Sequence, residues 1–315
     1  MMMDSMKRLT LLMTLFLVLV TSAAQAETGR VYVSIAPLHA LVQGVMGTTA
    51  QAELLIKPIY SPHDFQLRPS QIRGLKKADL IFLIGPTFEI SAQKAVTALG
   101  LQRQTVQMMH LPALTILANR VGGAWGGVHD HESDVDGQEL SYAMKDPHIW
   151  LNPANAVTMV REIANRLSKI YPEHTAEYTV NSAKLINKIK QMDGDLALKL
   201  QAVKNIPFVV FHDAYQYFET YYNLNAVGAI LLDPTRVPSI GRIKEMRAQI
   251  STTGARCAFR EPQFSGKLVD VVLAGSSARA GILDPVGQGL AVGEGLYVKL
   301  MTALADTLIT CLQKQ

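Results

Sequence analysis

The chain has 315 residues, of which 49% are apolar and 18% charged, with a formal net charge of +4. That length suits two domains of ordinary size, and the apolar share excludes a chain too polar to bury a core. A charge this small and this dispersed gives no argument for a nucleic-acid binder.

Lys7 and Arg8 precede an apolar run over 9–20, and Ala24, Gln25 and Ala26 follow it. The run is too short to span a bilayer, so 1–26 reads as a secretory signal cleaved near Glu27, which places the mature protein in a periplasm. Residues 31–35 alternate as a strand should, 38–46 can form a helix, and 54–56 is the next strand. A helix follows from Pro69, whose ring suits the first helical position. The wholly apolar run 80–84 has the pattern of a strand buried on both faces of a parallel sheet.

Between the halves, Leu185, Ile189, Met192, Leu196, Leu200 and Val203 recur at steps of three and four, which predicts one long helix over 172–203. At about 1.5 Å per residue it would run to roughly 45 Å, with Gly194 as the place for a bend or boundary. Strands follow at 208–211, 226–231, 257–259 and 282–283, with helical segments between them. The alternation predicts an α/β protein of two βα lobes with parallel sheets. The N-terminal lobe would take 27–171, the linking helix 172–203 and the C-terminal lobe 204–315.

Three histidines stand in separate short contexts: Pro62-His63-Asp64, Asp146-Pro147-His148 and Phe211-His212-Asp213; Leu283-Asp284-Pro285 forms a fourth. Three neutral imidazoles and one oxygen donor suit a tetrahedral zinc ion. In open α/β sheets ligands gather beyond the carboxyl ends of the strands, where His212 and Asp284 fall. His63 and His148 would face them from the other lobe, so the ion would sit in the cleft between lobes. Chemistry alone leaves each histidine open to a surface or capping role, and Asp-Pro also starts turns. Asp64 and Asp213, next to two of the histidines, are expected to orient them or to shape turns. Trp150, Phe264 and Tyr215 are expected to pack around the cleft.

These contexts, with Ser34-Ile35-Ala36-Pro37-Leu38, Leu67-Arg68-Pro69-Ser70, Ile149-Trp150-Leu151-Asn152-Pro153 and Glu261-Pro262-Gln263-Phe264, occur in an order that resembles the zinc- and manganese-binding receptors of bacterial ABC importers. Within that class the resemblance is to the periplasmic zinc-uptake receptors of the ZnuA type, and it covers nearly the whole mature chain. It implies that His63, His148, His212 and Asp284 hold a Zn²⁺ cargo and that a rigid helix joins the lobes. It also implies a monomer that is not an enzyme and that hands its ion to a membrane permease. Members of the class often carry an acidic residue just before the first ligand histidine, where this chain has Pro62; the fourth position then goes to Asp284, to water, or stays loosely filled.

Manganese receptors of the class usually replace the third histidine with a carboxylate, so His212 favours zinc. A metal-dependent adhesin of the same fold and a secreted zinc hydrolase are the alternatives; no His-Glu-x-x-His pair supports the second. The stretch over 126–139, with His129 and His131 and several acidic residues, resembles a shortened form of the histidine-rich loop of this class. It would bind a second ion or remain a solvated loop. Cys257 and Cys311 form an isolated pair in an oxidising compartment, where a disulfide is expected, and the resemblance includes members with such a bridge.

Overall fold

A computed structural model of the protein describes residues 30–125, 144–231 and 234–314. The expected signal segment, 1–26, and the stretch carrying His129 and His131 lie outside the described residues.

The first sheet is built from β1 (Val31–Ile35), β2 (Glu53–Ile56), β3 (Leu80–Leu83) and β4 (Thr105–Gln107), in the order β2-β1-β3-β4 and parallel throughout. β1 and β3 are its inner strands and are buried almost without interruption, because helices cover both faces. Helix α1 (Ala36–Met46) leaves β1 directly, with Pro37 in its first turn. It is apolar nearly all round because it lies in a helical layer rather than on the surface. Helices α2 (Pro69–Leu75) and α3 (Ile90–Ala98) complete this half of the lobe.

The second sheet repeats the plan with β5 (Phe208–His212), β6 (Ala226–Leu231), β7 (Cys257–Arg260) and β8 (Arg279–Ile282), ordered β6-β5-β7-β8 and again all parallel. The expected strand at 282–283 lies earlier, as β8. An edge strand has no run of buried apolar residues to betray it, and Arg279-Ala280-Gly281-Ile282 has none. In each sheet the first strand is flanked by the second and the third, so the connections leave to opposite sides and open a crevice at the carboxyl ends.

Between the sheets run α4 (Pro153–Ile170) and α5 (Thr175–Leu200). Asn152 caps α4, its Oδ1 accepting from the Ala154 and Asn155 backbone N–H groups ahead of the Pro153 start. The predicted stripe forms on α5, where Leu185, Ile189, Met192, Leu196 and Leu200 are buried. The α-helix is shorter than expected: a 3₁₀ turn occupies Pro172–His174, and the helix passes through Gly194 unbroken. Three further helices, α6 (Gln216–Tyr222), α7 (Ile240–Thr253) and α8 (Lys267–Leu273), serve the second lobe.

The last helix, α9 (Leu296–Gln313), packs back against α5 and against α1 of the first lobe. The expected disulfide, Cys257 to Cys311 with Cα atoms 6.4 Å apart, fastens the end of α9 to β7. One helical layer is thereby attached to both sheets. Among the described residues no helix is long and apolar enough to cross a membrane.

Candidate metal centre

His212 is the last residue of β5, at the crevice between β5 and β7 where the fold opens toward ligands. His63 lies in the turn between β2 and α2, its backbone N–H donating to Ser61 Oγ at 3.4 Å. His148 immediately precedes the 3₁₀ turn Ile149–Leu151, which holds it at the head of α4. Three separate elements therefore deliver three imidazoles to one place. Each of them offers a ring nitrogen within 4.8 Å of the others, and the ring centroids form a near-equilateral triangle with sides of 5.3 to 5.4 Å.

Buried carboxylates orient two of these rings. Asp146 Oδ1 lies 2.7 Å from His148 Nδ1 and also accepts the His148 backbone N–H at 2.9 Å. Glu261, the residue after β7, places Oε1 2.7 Å from His212 Nδ1. A carboxylate can only accept from such a nitrogen, so the proton sits on Nδ1 and the Nε2 lone pair is turned inward. The two Nε2 atoms face each other at 3.4 Å. A tetrahedral zinc bonded at about 2.05 Å would set two ligand nitrogens about 3.3 Å apart, so the spacing fits the ion.

Burial and neighbouring charges shift these groups in different directions. Burial, then the His212 charge, push His148 well below the ordinary histidine range. Burial also works against a charge on His212, yet the Glu261 carboxylate overrides it and holds His212 up. Burial pushes Asp146 up to about 7 against its hydrogen bond from His148 and the positive charge of Arg120.

The surroundings are largely aromatic. Trp150 is completely buried, and Phe88 meets His63 edge-on with centroids 4.8 Å apart. Phe264 stacks on Phe211 at 5.0 Å, and Tyr215 is buried beside Glu261, so all three expected packing residues do pack. Pro62, Gln263, Pro285 and Val286 finish the lining of this small pocket.

Asp284 stands differently from the histidines. It is half-buried behind Pro285 and does not belong to the group of side chains close enough to share an ion. Its Oδ1 accepts from Gln263 Nε2 at 2.9 Å and from the Val286 and Gly287 backbone N–H groups at 3.1 and 3.0 Å. Burial raises its carboxyl above the ordinary range in spite of these donors.

The orienting acids are also not the ones next to the histidines. Asp64 is exposed, and Asp213 forms a two-oxygen pair with Arg120, whose Nε lies 3.0 and 2.9 Å from its Oδ1 and Oδ2. Arg120 Nη1 also reaches Glu219 at 2.7 Å, and its guanidinium lies 3.3 Å from the centre of the Trp125 ring. A segment of the first lobe is thus anchored inside the second. Signals for the true partners existed: Asp146 precedes His148 by two residues, and Glu261 directly follows β7, the neighbour of the strand that ends in His212.

Residues 31–311 match the family described as zinc-uptake complex component A, periplasmic. The high-affinity zinc uptake system protein ZnuA of Brucella suis is 34% identical over 93% of this chain and 94% of its own length. The protein of the same name from Paracoccus denitrificans is 35% identical over 92% and 93%. A crystal structure of ZnuA superposes with a TM-score of 0.76 at 22% identity, covering 91% of this chain and all of the other. The periplasmic zinc-binding protein TroA of Treponema pallidum superposes with a TM-score of 0.75, also at 22% identity, over 91% of this chain and all of its own. With a match that runs through both lobes and relatives at this identity over nearly the full length, the chain belongs to the family of periplasmic component A proteins of zinc-uptake complexes.

Proposed function

We propose that the protein is a high-affinity zinc receptor that captures one Zn²⁺ between its lobes in the periplasm and delivers it to the permease of an ABC importer. The observation that carries this reading is the convergence of His63, His148 and His212, two of them aimed by buried carboxylates. In this reading the three Nε2 atoms hold the ion, and one oxygen ligand completes a tetrahedron. A set of three nitrogen donors suits zinc better than manganese, which prefers more oxygen and a higher coordination number.

Catalysis finds little support among the described residues around the three histidines. Hydrolysis at zinc wants a carboxylate or imidazole free to move a proton, but Glu261 and Asp146 are each committed to the Nδ1 of a histidine. Binding and release are the better use of such a site. Hydrogen bonds across the cleft, from Trp150 Nε1 to Pro285 O at 2.8 Å and from Gln263 Nε2 to Pro58 O at 3.0 Å, hold the lobes together. Release would then need the permease to separate them. Complementation tests this: the gene should restore zinc-limited growth to a strain lacking its own zinc receptor, and a His148→Ala version should not. Equal rescue by both would remove the cleft site from zinc delivery.

A further inference from the structure

We infer that Gln263 is a selectivity-determining residue of the metal site, acting by withholding the Asp284 carboxylate from the ion. This rests on the reading of the three histidines as the zinc site.

Gln263 lines the same pocket as His63, His148 and His212. Its amide nitrogen has two N–H groups, and both are used: one donates to Pro58 O in the first lobe at 3.0 Å, the other to Asp284 Oδ1 at 2.9 Å. Asp284 Oδ1 receives the backbone N–H groups of Val286 and Gly287 as well, so three donors hold one oxygen. Held in this way, Oδ1 is a weakened metal ligand, since each donor would have to be given up or shared for it to reach a cation. Two of the three donors belong to the loop itself and travel with Asp284. Trp150 Nε1 holds the neighbouring Pro285 O, but among the donors to Asp284 Oδ1 itself Gln263 is the one that comes from another part of the site.

The third feature is the other end of the same amide. Gln263 Oε1 is buried and meets no donor among the described residues. A buried carbonyl oxygen of this kind is costly unless something donates to it. A water bound to the ion in its fourth position would do so, because metal-bound water is a strong donor. One side chain would thus refuse the ion a carboxylate and support a neutral water in its place. The result is a site of three nitrogens and one water, suited to zinc. Adding the carboxylate would make the site richer in oxygen and more acceptable to manganese.

The experiment uses the mature protein stripped of metal, with Zn²⁺ and Mn²⁺ titrated separately against chelators. Gln263→Met keeps the volume and removes both donors and the acceptor; Gln263→Ala serves as a second form. The ratio of manganese to zinc dissociation constants should fall by about tenfold or more in either variant, the scale on which a partner behind a ligand acts. Placed in an Asp284→Asn background, the same substitutions should leave the ratio unchanged, because the oxygen that was released is no longer a carboxylate. An unchanged ratio in the single variants, or an equal fall in the Asn background, overturns the inference.

Asp284→Asn alone tests it without touching Gln263. Asn retains Oδ1 for the loop N–H groups, so zinc affinity should stay within about threefold, whereas a ligating Asp284 would cost about tenfold to a hundredfold. A wild-type protein that fails to bind zinc would instead defeat the function proposed above, and the two failures are therefore distinct.

Discussion

At the scale of single residues, the quality of the candidate site lies in what stands behind two of its three imidazoles. His212 is nearly buried, which would favour a neutral ring with no preferred tautomer, and Glu261 fixes the proton on Nδ1. Replacing Glu261 with Gln keeps the shape and removes the charge, so zinc binding should weaken by about tenfold to a hundredfold. Calorimetric titration of a variant with unchanged circular dichroism checks this; an unaltered affinity would mean that Glu261 only fills space. The three histidines were legible because each sits in a short, distinctive context beside a turn or strand end. Their orienting acids were less legible, because neighbours in sequence are not neighbours in space. Side chains alternate along an extended chain, so Asp213 leaves the site that His212 enters and turns toward Arg120. Glu261 reaches His212 only through sheet topology, from two strands away in sequence order. The place of Asp284 could not be read at all from Asp-Pro, since a turn and a ligand begin with the same two residues.

At the scale of elements, apolar period decided what could be read. The alternation of β1, the unbroken run of β3 and the stripe on α5 announce themselves, and the structure places all three close to where they are expected. The three-residue β4 and the edge strand β8 are too short or too mixed to show a period. Helix α4 had readable signals in Asn152, Pro153 and the spacing of Ile163 and Leu167. Gly194 is the element-scale departure: a residue expected to permit a bend sits in a continuous helix, exposed, with nothing within 4 Å of an added Cβ. Gly194→Ala should therefore stabilise the protein by about 1 kcal/mol, by lowering the backbone entropy lost on folding. Chemical denaturation measures this directly. A loss of stability would show that the helix needs the flexibility of glycine there.

At the scale of the whole molecule, α9 and the disulfide matter most. Helix α9 belongs to the second half of the chain but packs on α1 and α5, and Tyr297 Oη at its start donates to Trp150 O at 2.8 Å beside the three-histidine cluster. Arg120 holds a first-lobe segment to Asp213 and Glu219, and Arg242 donates to Ala124 O at 2.6 Å. The two lobes are thus joined by helices, by ion pairs and by the floor of the cleft, which suits a receptor that moves little. The Cys257–Cys311 bridge spans 54 residues, and in the chain-entropy picture a loop of that length contributes about 4 kcal/mol. Replacing both cysteines with serine should lower the unfolding free energy on that scale and leave zinc stoichiometry intact, as read by denaturation and titration. Loss of zinc binding in a folded serine variant would mean that the bridge also shapes the cleft.

The most direct test of the central claim is a chelator-competition titration of metal-free mature protein with Zn²⁺ and Mn²⁺ under identical conditions, repeated with His212→Ala. The account predicts tight one-to-one zinc binding, manganese weaker by orders of magnitude, and zinc affinity largely lost in the variant. Weak zinc binding, a preference for manganese, or a His212→Ala protein that binds zinc as tightly as the wild type would contradict it.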